Sequence, residues 1–271
     1  MKLREKTWLW GHPAGRYNNA FGNTRESRMT PMECCLYLGI RNTFMIPDGW
    51  EANRRQYNKS FTTLRSVAWE CFGAARDPEQ VNPLIQEAAD FPNINGVVFD
   101  DFQRGGWPEY TKIPVENLWE VNKRLHNNGI RDMAMWMVLY TREFANDPND
   151  PDKKGYNDEL FAPYIEPFDG IIMWTWKESE VPLIPQKYES FKQLCAGKRH
   201  MVGVYLYNFG ENCDSTAEAV KWQLDFWYDK LKSGEIEGIV FHTNTMADLD
   251  LESYDVARAW LEEHGDEEIP D

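Results

Sequence analysis

Eight short apolar segments, each followed by a stretch of helical character, constrain this chain more than any other feature. The segments are Thr7–His12, Asn42–Ile46, Leu64–Phe72, Gly96–Phe102, Met133–Tyr140, Gly170–Trp176, Met201–Phe209 and Gly238–Asn244. They are rich in Val, Ile, Met and aromatic residues, and several are nearly continuous in apolarity, as suits parallel strands covered on both faces. The helical stretches are Pro31–Gly39, Trp50–Ser60, Pro78–Asp90, Val115–Asn128, Asn157–Phe168, Pro185–Ala196, Ser215–Ser233 and Leu249–His264. Asp77 ahead of Pro78 is a natural helix start, Gly129 and Gly234 are natural stops, and Asp214-Ser-Thr-Ala-Glu218 offers capping oxygens. Strand and helix alternate with no linker or low-complexity block. The pattern predicts one (β/α)8 barrel over residues 1–271, with the acidic run Glu262–Asp271 ending in a solvated tail from about 265.

The length of 271 residues suits such a barrel, which typically needs about 250. A net charge of −15 excludes nucleic acids and anionic membranes as favoured partners, because both repel an acidic surface. A neutral ligand fits better. The 12 Trp, 12 Tyr and 14 Phe supply rings that either fill a core or stack on sugar faces. Cys34, Cys35, Cys71, Cys195 and Cys213 are odd in number and scattered, so they are expected as buried free thiols rather than a disulfide framework or a zinc site. The segment from Met1 to Thr7 lacks the apolar run of a signal peptide. As the sequence stands the expected compartment is the cytoplasm, or outside it if a leader has been removed. There is no GxGxxG, Walker loop or GxSxG elbow, so no cofactor is implied.

In a (β/α)8 barrel the C-terminal strand ends form the active-site face. The residues delivered there are His12, Glu70, Asp100, Asp101, Tyr140, Trp174, Trp176, Lys177, Glu178, Asn208, Glu211, His242 and Asn244. The longest irregular stretches, Gly11–Met29, Gln103–Pro114 and Thr141–Tyr156, also follow strands and belong to the same rim. Asp100-Asp101 carries most weight. Neighbouring strand residues point to opposite faces, so both acids serve one site only where the strand turns into its loop. Two close carboxyls titrate apart, giving one proton donor and one ionised partner. The plainer alternative is that one Asp bonds loop amides and the other is solvated. Glu178 and Glu211 are candidates for a second carboxyl, set against roles as a helix cap and an exposed acid; Glu70 is a weaker candidate. Asn208, Asn244 and Tyr140 are types that fix sugar hydroxyls, and Trp107, Trp174 and Trp176 are types that stack on sugars. His12 and His242 end neighbouring strands. Without an HxH pair, they are expected as hydrogen-bonding histidines rather than metal ligands.

The run Val97-Val-Phe-Asp100-Asp101-Phe102 is similar to the Phe-Asp-Asp signature of O-GlcNAc hydrolases and hyaluronidase-like β-hexosaminidases, which are TIM-barrel glycoside hydrolases. The chain as a whole looks like a bacterial glycosidase-like barrel. The resemblance implies that Asp100 orients and polarises a 2-acetamido group that attacks the anomeric carbon. Asp101 would then act as general acid and afterwards as base, helped by Asn208, Asn244 and Tyr140. Outside that resemblance, an ordinary two-carboxyl glycosidase would pair Asp101 with Glu178 or Glu211. Two readings from other classes remain: a metal-dependent sugar isomerase or hydrolase using His12, His242 and the Asp pair, and a non-catalytic carbohydrate-binding barrel.

Overall fold

The computed structural model describes residues 1–47, 53–101, 113–145 and 158–270. Its eight strands are β1 Thr7–Gly11, β2 Asn42–Met45, β3 Ser66–Glu70, β4 Ile94–Phe99, β5 Ala134–Tyr140, β6 Gly170–Trp174, β7 Arg199–Tyr205 and β8 Gly238–His242. They follow one another in the order of a closed parallel barrel, with β1 paired to β8. Eight α-helices among the described residues alternate with them: α1 Pro31–Leu38, α2 Arg54–Ser60, α3 Asn82–Asp90, α4 Val115–His126, α5 Asp158–Ile165, α6 Ile184–Leu194, α7 Ala217–Ser233 and α8 Glu252–His264. The fold is therefore the expected (β/α)8 barrel. No helix among the described residues is long and apolar enough to cross a membrane.

Packing divides the chain into two compact units: residues 1–67, 175–181 and 201–271, and residues 68–174 with 182–200. In the first unit β1, β2 and β8 are in parallel register, with Leu9 beside Phe241 and Trp10 beside His242. Their side chains are buried on both faces, which is why these segments read as unbroken apolar runs. In the second unit β4, β5 and β6 pair through Val98–Trp136 and Trp136–Gly170. A Cβ at Gly170 would overlap the Trp136 ring, so only glycine lets that indole lie against the neighbouring strand.

Four expectations need correction. Seven of the eight strands end one to four residues before their apolar runs, while β5 closes at Tyr140 as expected; after β7, Leu206, Tyr207 and Phe209 stay buried in the connecting segment although the strand is over. The helix expected from Pro78 begins as a 3-10 turn, Pro78–Val81, with Asp77 accepting the Glu79 amide, and α3 starts only at Asn82. Pro83 has no N–H to offer the Glu79 carbonyl, so an uninterrupted α-helix cannot form there. Gly129 is not the stop of α4; the helix closes on Asn127, and Gly129 sits beyond it at φ 76°. The acidic end is docked through its backbone and Ile269, while Glu262, Glu263, Asp266 and Glu268 keep exposed side chains. Lys2 bridges Glu268 in antiparallel fashion, the Ile269 amide donates to the Met1 carbonyl at 2.8 Å, and Asp266 pairs with Lys2 and Arg4. By contrast Thr216 caps α7 as the sequence suggests, accepting the Ala219 amide, and Gly234 closes it at φ 75°.

Candidate active site

In the second unit β4 ends at Phe99, and Asp100 and Asp101 form the turn that leaves it. Both are half-buried. Asp100 Oδ1 accepts the Asp101 amide at 2.8 Å, so its carboxylate folds back on the turn. Asp101 stands at φ 46°, a left-handed conformation that Asp tolerates better than most residues. The hydroxyl of Tyr140, the last residue of β5, donates to Asp101 Oδ1 at 3.1 Å. Tyr140 is buried, and the Arg142 guanidinium lies 4.6 Å from the centre of its ring. Glu70 closes β3 half-buried, and its carboxylate accepts the Phe72 amide, so it also serves a turn. Trp174 is only 1% exposed and offers no ring face to a ligand from solvent. Trp107 lies outside the described residues.

The first unit holds the other expected residues in two sets. His12 and His242 are buried among rings: Tyr17, Tyr205 and Phe209 surround His242, whose ring centre lies 5.4 Å from that of His12. Tyr17 meets His12 Nε2 at 3.2 Å. Burial, together with the charge of Arg16, pushes the His12 pKa down to about 3. Burial and the neighbouring His12 likewise hold His242 well below the usual histidine range. Both are therefore neutral near pH 7. Among the described residues no group of three or more His, Cys, Asp or Glu side chains is placed to hold a metal ion.

At the edge of this ring cluster Phe21 is 36% exposed and meets Trp176 and Phe209 edge-on. Phe21 has φ 50°, costly for a bulky side chain, and the Tyr207 hydroxyl holds its carbonyl at 2.6 Å. Tyr17, Phe21, Tyr205 and Phe209 were not singled out from the sequence. Aromatics within a loop or strand look like any core residue until their neighbours are known.

The second set is polar. Glu178 accepts the Thr216 amide at 2.9 Å and the Thr216 hydroxyl at 2.8 Å, binding it to the start of α7. Glu211 accepts from Asn208 Nδ2 at 2.7 Å and from the Ser179 amide at 3.3 Å. These bonds, led by that of Asn208, hold its carboxyl below the usual glutamate range. Asn208 is buried. Asn244 is fully buried and grips the segment after β1, accepting the His12 amide at 2.7 Å and donating to the His12 and Met29 carbonyls at 3.0 and 2.7 Å. Lys177 is exposed. Of the cysteines, Cys34, Cys35 and Cys195 are buried free thiols as expected, Cys71 is half-buried, and Cys213 is exposed, which corrects that expectation.

No known protein-family profile matches this chain, and no curated protein sequence matches it. Solved structures do. The catalytic domain of a hyperthermophilic chitinase from Pyrococcus furiosus superimposes with a TM-score of 0.61 at 10% identity, over 96% of each chain. A GH5_18 protein from Streptomyces cattleya, in complex with Manb1-4GlcNAc, gives 0.59 at 12% identity, covering 98% of this chain and 83% of that one. A xylanase-A-amylase inhibitor protein, XAIP-III, gives 0.55 at 11% identity over 93% and 98%. At such identities the likeness is one of fold. The class this defines is the TIM-barrel proteins, with glycoside hydrolases among its structural neighbours.

Proposed function

We propose that the chain is a glycoside hydrolase in which Asp101 is the general acid and base. One observation carries this reading: Asp101 lies in the turn at the C-terminal end of a barrel strand, and the phenol of Tyr140 on the next strand donates to its carboxylate. That is the side on which barrels of this class carry their chemistry. Asp101 would protonate the glycosidic oxygen as the bond to the anomeric carbon breaks, then take a proton from the incoming water. Asp100, bound to the Asp101 amide, fixes the turn and is the group to orient a 2-acetamido nucleophile where the sugar carries one.

Glu178 and Glu211 are less suited to be the second carboxyl, since each already accepts two hydrogen bonds from the protein. The substrate is a neutral or N-acetylated sugar. The Manb1-4GlcNAc bound to the Streptomyces cattleya protein makes an N-acetylated sugar a reasonable first choice for this chain.

A panel of chromogenic aryl glycosides, with and without a 2-acetamido group, tests the reading on wild type and Asp101→Asn. The variant is expected to lose at least about 100-fold in turnover with its fold intact, since acid–base help is worth about 10²–10⁴-fold. Equal turnover in the variant would refute the role of Asp101. A carbohydrate-binding barrel would bind sugar with no turnover in either protein. A stoichiometric metal, lost along with activity on chelation, would instead favour the isomerase reading.

A further inference from the structure

The turn after β5 contains a carboxylate that the proposed reaction leaves unused. Glu143 is only 2% exposed. Its Oε2 accepts the Tyr140 amide at 2.8 Å, and its own amide donates to the Tyr140 carbonyl at 2.9 Å. The same Tyr140 donates its hydroxyl to Asp101. The turn is anchored on its far side as well. Phe144 is fully buried with its ring 6.0 Å from that of Phe191 on α6, and Lys187 Nζ donates to the Phe144 and Ala145 carbonyls at 2.7 and 3.2 Å.

A turn that needs only a side-chain acceptor for one amide is commonly served by Ser, Thr, Asn or Asp. Burying the longer carboxylate of Glu143 is costly unless its bonds are well made. What this arrangement adds is a rigid tether at the backbone of the residue whose phenol reaches the proposed acid. We propose that Glu143 is a positioning residue for Asp101. It fixes the main chain at Tyr140 so that the phenol meets the Asp101 carboxylate in one orientation. The purpose of this chain of bonds rests on the glycosidase reading; the chain itself does not.

Two readouts separate the claims. The first needs no substrate: the tyrosine Cζ carbons are labelled with 13C, and the Tyr140 resonance is assigned by its loss in Tyr140→Phe. In Glu143→Ala this resonance is expected to move in the same direction as in Asp101→Asn. In Glu143→Gln it should stay near wild type, because the amide oxygen accepts the same N–H. The second readout is kinetic. Glu143→Ala should lower kcat by about 10- to 100-fold with KM nearly unchanged, the scale expected when a reacting group is misplaced by about 1 Å.

Glu143→Gln should retain most of the activity, and Tyr140→Phe/Glu143→Ala should be no worse than the weaker single variant, since both act through one path. If Glu143→Ala does not fold, Glu143→Asp, one methylene too short for the amide, takes its place. An unmoved Tyr140 resonance, additive losses, or a Gln variant as crippled as the Ala variant would overturn the proposal. Silence of wild type towards every glycoside would overturn the glycosidase reading instead, with the resonance still testing the bonds.

Discussion

Replacing Asn244 with Ala separates a structural asparagine from a sugar-binding one. The side chain is fully buried and makes three hydrogen bonds to backbone, to the His12 amide and to the His12 and Met29 carbonyls. Each neutral bond contributes about 0.5–1.5 kcal/mol net, and leaving the His12 amide without this acceptor adds part of a desolvation cost of about 1–3 kcal/mol. The expected loss is about 4 kcal/mol. Unfolding entropy of about 2.1 cal/mol/K per residue gives roughly 0.57 kcal/mol/K for a chain of 271 residues, so Tm should fall by about 7 °C.

Thermal unfolding followed by circular dichroism, with a urea titration at 25 °C, measures this directly. Asn244→Asp should be at least as damaging, because it retains the acceptor for the His12 amide but sets a buried charge against two carbonyls. A Tm within about 1 °C of wild type would refute the reasoning, since no set of three buried bonds could then be worth the sum used. A raised KM at unchanged Tm would return Asn244 to the sugar-binding role that its residue type suggests.

Glu178→Ala should destabilise the fold by about 1–2 kcal/mol through loss of the bonds at the start of α7, and leave glycoside turnover in place. A deep fall in kcat at unchanged stability would make Glu178 the second carboxyl after all. His12, held near pKa 3 when folded against 6.5 as its ordinary value, makes the unfolded chain the better proton binder at mild acid. Its contribution to stability is therefore whole above about pH 6.5 and declines as pH falls towards 3, and His12→Gln should flatten that decline in urea titrations across the range. Gly170→Ala pushes a methyl into the Trp136 ring and should cost about 1–3 kcal/mol, read as a lower Tm and an altered near-ultraviolet tryptophan band.

The barrel is legible because strands covered on both faces and helices covered on one leave different periodicities along the chain. The limits of elements are less so, since Phe209 is as apolar beyond a strand as Val204 is within it. The Asp pair is visible as two acids closing an apolar run. Which acids are engaged is not visible, because the partners are remote in sequence: Glu178 meets Thr216, and Asn244 meets His12 from the other end of the chain. Glu143 goes unnoticed for a different reason. In Tyr140-Thr-Arg-Glu143 an acid beside an arginine reads as solvated loop, and only its burial separates it from one. The docked tail was hidden in the same way, since a basic start and an acidic end show no pairing until the termini meet.

The acids at the strand ends can be sorted by what their carboxylates hold. Glu70, Asp100, Glu178 and Glu211 each accept at least one backbone amide, and such bonds serve the local chain. Asp101 accepts from the Tyr140 phenol, and it does so from a left-handed backbone position. A non-glycine residue held there costs of order 1 kcal/mol or more, a cost that persists when the position serves function. Glycine would relieve it. Asp101→Gly is therefore expected to leave stability unchanged or raise it by up to about 1 kcal/mol while turnover is lost, the pattern of a site that trades stability for activity. Asn tolerates the left-handed region about as well as Asp, so Asp101→Asn keeps the turn and removes only the carboxyl chemistry. A clear fall in the Tm of Asp101→Gly would show that the carboxylate holds the fold together, and the case for Asp101 as the acid would lose its main support.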